Sequence, residues 1–152
     1  MRIELTLSEF DLAINTARLR MIASESLNCN HATTYERTLV KRLEEEVVGA
    51  CGEIAFAKHI GKFFVPSVNA FNKEADVGLN VEVRSTIRLD GCLIVRNNDL
   101  DDRAFVLAIV DGKNVDLAGW LYGRDAKKDE WIKNPHGYRK AWFVPQNCLI
   151  AV

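Results

Sequence analysis

The chain has 152 residues, 48% of them hydrophobic and 27% charged, with a formal net charge of −1. This is the make-up of a single globular domain with a real core, and it excludes a disordered or collagen-like chain. The charge balance excludes a binder held by bulk positive charge but leaves room for a local basic groove, because only the field at the groove matters. No apolar run reaches the ~20 residues of a membrane span. The opening MRIELTLSEF has no apolar signal core, so the expected compartment is a cytoplasm.

A first helix is expected from Ser8, capped by Ser8 with Asp11 three residues on; Phe10, Ile14, Ala17 and Met21 recur at helical spacing. Residues 24–34 read as a polar loop. A second helix is expected over residues 35–60, with Leu39, Leu43, Val47, Ala50, Ile54 and Ala57 as its apolar stripe and Gly61 as its stop. Gly49 and Gly52 inside it each cost about 1 kcal/mol against alanine, so close packing of another element is expected there. Glu53 sits beside that small face. Strands are then expected at 62–67, 81–85, 92–96, 104–110, 115–120 and 141–145, with a hairpin at DGKN and a short helix near 124–132. Helices followed by a run of strands predict an α+β domain with a mixed sheet. The whole of 1–152 reads as one domain, with 1–34 a helical extension and 35–152 the core.

The segment EADVGLNVEVRST, residues 74–86, carries the most chemistry. On a strand, i and i+2 share a face, so Glu82 and Arg84 stand opposite Val81, Val83 and Ser85. A bend at Gly78 and Asn80 would return Asp76 to Glu82. Two carboxylates, a backbone carbonyl such as that of Val83 and a nearby cation suit Mg²⁺, with Mn²⁺ as a substitute.

Asp76, then Glu82-x-Arg84, behind a helix carrying Glu53, resembles the PD-(D/E)XK (restriction-endonuclease-like) nuclease superfamily, and the wider texture of residues 45–149 resembles its small phage-encoded members. The resemblance implies an αβββαβ core and a metal-dependent DNA endonuclease that hydrolyses phosphodiester bonds. Glu53, Asp76 and Glu82 would gather Mg²⁺, with water activated there as nucleophile, and Arg84 would hold that water or the scissile phosphate. Ala75 stands where the family has proline, and Arg84 where it has lysine. Arg84, Arg88 and Arg96 are the expected DNA contacts. Cutting both strands implies a homodimer or a second encounter, and a phage origin would place the protein in the host cytoplasm.

Simpler readings stand beside this one. Glu82 and Arg84 also fit a surface charge pattern on a strand, and the fold also fits a non-catalytic DNA-binding or virion-associated protein, or a structural subunit. Each basic clump, at 37–42, 83–88, 123–128 and 138–140, fits a solvated surface as well as a phosphate site. RNNDLDDR, residues 96–103, reads as a polar turn without a calcium-loop closing acid. Cys29, Cys51, Cys92 and Cys148 form no CxxC pair and read as reduced thiols. His31, His59 and His136 are scattered; His31 with Tyr35 and Arg37 could line a groove. Trp120, Trp131 and Trp142 read as packing residues.

Overall fold

A computed structural model of the chain describes residues 1–26, 38–68, 80–134 and 140–152. Strand β1 (Arg2–Glu4) precedes helix α1 (Leu7–Ser26). The α1 cap is a reciprocal box two residues earlier than Ser8: the Glu9 N–H donates to Thr6 Oγ1 (3.2 Å) and the Thr6 N–H donates to the Glu9 carboxylate (2.6 Å). The inward stripe of α1 is also shifted, because Ala13, Thr16 and Ala17 are buried while Ile14 is exposed.

Helix α2 (Leu39–His59) is capped by Thr38, whose Oγ1 accepts from the Lys41 N–H at 3.2 Å. Gly61, with φ +66°, stops it in the left-handed region as expected. The expected start at residues 35–37 lies outside the described residues. Its second half, Ala50–Ala57, is buried throughout, a wider burial than one amphipathic stripe needs, because α2 is wedged between α1 and a sheet. Residues 62–67, expected as a strand, form none; Phe63 and Val65 there are exposed, so nothing pairs them into a sheet.

Among the described residues the main sheet has the strand order β1-β5-β4-β2, with β2 at Val81–Thr86, β4 at Ala104–Asp111 and β5 at Asn114–Tyr122. Strand β2 runs parallel to β4, and β4 and β5 form the expected hairpin, with Gly112 at φ +58° in its turn. A second, antiparallel sheet has the order β3-β7-β6, with β3 at Leu93–Arg96, β6 at Ile132–Lys133 and β7 at Ala141–Val144. Between β5 and β6 lie the four-residue helix α3 (Gly123–Ala126) and a 3₁₀ turn at Asp129–Trp131. The α+β class read from the sequence therefore holds.

Each face of the main sheet buries its own cluster. One cluster joins Val83, Val106, Ala108, Val110 and Leu117 to Leu5, Ala13 and the small residues of α2. The other joins Phe105, Leu107 and Leu121 to Leu93, Val95 and Val144 of the second sheet. The second face is covered by strands of the second sheet. Among the described residues no helix is long and apolar enough to cross a membrane.

Candidate carboxylate site and basic cavity

The alternation expected for β2 is present. Val81 and Val83 pack toward the helices, while Glu82 and Arg84 stand over Phe105 and Leu107, their partners on β4. The Arg84 guanidinium lies 5.4 Å from the Phe105 ring centroid, over its face. Val83, suggested as a carbonyl ligand, has its side chain in the core.

Every expected site residue that is described, apart from Val83, is a charged group, and Glu53, Glu82, Arg84 and Arg88 are held in ion pairs. Glu53, on the buried half of α2, receives both arms of Arg20 at 2.8 and 2.7 Å, and the Arg20 Nε–H donates to the Ser67 carbonyl at 2.9 Å. Glu82 is paired with Arg103. Arg84 is paired with Asp99 at 3.0 Å to both carboxylate oxygens. Arg88 is paired with Asp90 at the open surface. Asp76 lies outside the described residues, as do Gly78, His31, Tyr35, Arg37 and His136.

Burial pushes the Glu53 carboxyl up from its ordinary value; Arg20 opposes this, and the charges of Glu46 and Glu82 add to it. Glu53 and Glu82 therefore lie within each other's field, across the β2 edge of the sheet. They are hard, anionic oxygen donors, which in kind fit a divalent cation. Among the described residues, however, no three such side chains stand at metal-binding spacing, and Arg20 and Arg103 supply the positive charge the two acids face. A cation held there by Glu53 and Glu82 has to draw at least one of them away from its arginine.

Three partners escaped the sequence reading. Arg20 was legible: with Ala13, Thr16 and Ala17 it falls on one face of α1, and an arginine on an inward stripe calls for a buried carboxylate. Asp99 belongs to the 96–103 segment read as a polar turn, and it is a turn, but its carboxylate also accepts from the Arg96 N–H at 2.8 Å and anchors Arg84. Arg103, from the same turn, is brought to Glu82 by long-range pairing that no local signal encodes. Asp101 of that turn binds Lys127 at 2.6 Å.

Beside this cluster lies a cavity of about 460 Å³, lined by Arg84, Arg88, Asp90, Ile94, Arg96, Lys133 and Phe143, among others. All three arginines expected to contact DNA line it. The buried Arg84 Nε has no hydrogen-bond partner among the described residues. Cys92 is at the cavity wall; Cys51 is buried, and burial pushes its thiol up to about 11, which makes it inert.

No family model, curated protein or solved structure matches the chain.

Proposed function

We propose that the protein is a metal-dependent DNA endonuclease of the PD-(D/E)XK type. The observation that carries this reading is the basic cavity containing Arg84, Arg88 and Arg96, which adjoins the strand bearing Glu82. A phosphodiester seated there lies next to the carboxylates. Glu53, Asp76 and Glu82, with the Val83 carbonyl, would hold Mg²⁺ or Mn²⁺, which when bound supplies charge to the phosphate and acidifies water. Arg84 contributes charge and a guanidinium fork suited to two phosphate oxygens. As a guanidinium it supplies charge and donors and no general base.

A second reading, a DNA-binding protein without catalysis, is supported by the arginine pairs that neutralise Glu53 and Glu82. Titration with Mn²⁺ by calorimetry and nicking of supercoiled plasmid separate the two. The nuclease reading expects both signals in the wild type. It expects the near-isosteric Glu82→Gln to keep the fold and lose Mn²⁺ binding. Unchanged Mn²⁺ affinity in that variant removes Glu82 from the site. DNA binding without nicking under any divalent cation selects the second reading.

A further inference from the structure

The cavity holds more than cations. Among the described residues β2 is an edge strand of the main sheet and β3 an edge strand of the second; residues of both, and of the turn between them, line the cavity. On β7, Phe143 is the cross-strand partner of Ile94, while Ala141 pairs with both Arg96 and Lys133. Strand alternation puts Ile94, Arg96, Lys133 and Phe143 on one face of the second sheet, opposite Leu93, Val95 and Val144, which are buried. Lys133 Nζ lies 5.9 Å from the Phe143 ring centroid, so the ring is within reach of a charged group from the solvent side.

A site for phosphate alone has no use for Ile94 and Phe143. A duplex offers its phosphates outward and keeps its base faces stacked; only an unpaired base has a π-face for an aromatic ring. The volume, about 460 Å³, falls in the range of small-ligand sites, ~300–1,000 Å³, and is a pocket for one residue of a strand, not a channel for a double helix. We propose that the cavity takes a single unpaired nucleotide of a DNA strand, its base against Phe143 and Ile94 and its flanking phosphates against Arg88, Arg96 and Lys133. This rests on the DNA-binding part of the reading above and makes the preferred substrate a bulged or single-stranded site.

The test is fluorescence anisotropy of the full chain with a blunt duplex, the same duplex carrying one bulged thymidine, and the bulge with an abasic sugar in its place. The bulged duplex should bind at least about tenfold tighter than the blunt one, the scale of one base–aromatic stack, and the abasic form should bind like the blunt one. Phe143→Leu should abolish the preference for the bulge. Because Phe143 is half-buried, a second measurement uses the wild type alone: photo-crosslinking of 5-iodouracil at the bulge should label the peptide containing Phe143. Equal affinity for blunt and bulged duplex, or crosslinks confined elsewhere, overturns the inference and leaves DNA binding standing. No binding to any of the three overturns both. Free thymidine monophosphate binding as tightly as the bulged duplex would assign the cavity to a free nucleotide and overturn the strand-bound form.

Discussion

The two faces of the main sheet differ in how they admit charge. The helix face is closed by small residues of α2, and Glu53, a carboxylate it buries, is locked by the two arms of Arg20. The strand-covered face buries large aliphatic and aromatic side chains, and its charges, Glu82, Arg84, Asp99 and Arg103, gather along the β2 side. A buried pair with one acid and one arginine is a structural constraint, since removing either partner strands the other in low dielectric. The border pair Glu82–Arg103 is enclosed about as deeply as Glu53–Arg20, but Arg84 of the neighbouring pair lines the open cavity, where a ligand can reach it. The contrast teaches that the helix face ties its buried carboxylate to a single arginine, whereas the strand-covered face strings Glu82, Arg84, Asp99 and Arg103 into adjacent pairs beside the cavity.

The largest effect should come from breaking the helix-face pair. Arg20→Met leaves Glu53 buried without its cation, a loss of roughly 3–5 kcal/mol. The loss should depend on pH. The folded Glu53 carboxyl is raised by burial, and losing Arg20 raises it further. The folded state then binds more protons than the unfolded one, so stability is greatest below the ordinary carboxylate range and falls as pH rises through the raised value. Arg20→Met should therefore regain melting temperature on acidification, and the double variant Arg20→Met/Glu53→Gln should not. Parallel pH profiles for the two would take Glu53 out of the account.

Next in size is the border. On the nuclease reading, in single-turnover plasmid cleavage at saturating Mg²⁺, Arg84→Ala should lose roughly 10²-fold or more, the scale of one electrostatic donor, and Arg84→Lys should keep part of the activity because charge survives and the fork does not. Arg84→Ala also leaves Asp99 short of a partner, so rates are compared per folded molecule. Cleavage by Arg84→Ala at the wild-type rate would reduce Arg84 to the partner of Asp99.

A smaller effect separates two glycines of α2. A Cβ on Gly52 would overlap Ser85 Oγ and come within 3.0 Å of Ala108 Cβ, whereas one on Gly49 meets nothing within 4 Å. Gly52→Ala should destabilise by about 1–3 kcal/mol, and Gly49→Ala should stabilise by about 0.5–1 kcal/mol through helix propensity. Denaturant melts of both read the sign directly. A stabilised Gly52→Ala would mean that α2 and β2 are not held at the close approach seen here.

Much of this is legible in the sequence, for reasons of period and punctuation. The strands from 81 to 122 alternate or run apolar, and DGKN forces a hairpin, so β2, β4 and β5 fall where expected. The glycines of α2 announced close packing, correctly at 52 and not at 49, because sequence cannot say which side of a helix another element occupies. Strand β1 is three residues long and exists only by pairing with β5; β6 is two residues and depends likewise on β7. The site was legible as a set of charges and illegible as a set of partners. Glu82 and Arg84 are two apart in sequence, yet each turns to a residue of the turn before β4, Arg103 and Asp99, because β2 runs parallel to β4.

The smallest effect is the one that probes the cavity most directly. Arg88 and Asp90 form an exposed pair across two residues, at 3.2 and 3.1 Å, and each holds the other charged: the Arg88 hydrogen bond lowers the Asp90 carboxyl, and Asp90 raises Arg88. Both side chains are largely in water, where such a pair does little for stability, so Asp90→Asn should leave the melting temperature unchanged. Asp90 is nevertheless an anion among the cations that line the cavity. Its removal frees Arg88 for a phosphate and deepens the local positive potential. DNA affinity at low salt should therefore rise by about two- to threefold, and the logarithm of affinity should fall more steeply with the logarithm of salt, by up to one phosphate contact's worth of slope. The same change in Asp116, which pairs with Arg2 at the far edge of the main sheet, should alter neither. If Asp90→Asn weakens binding instead, the carboxylate serves to aim Arg88, and the cavity's preference comes from a fixed guanidinium and not from net charge.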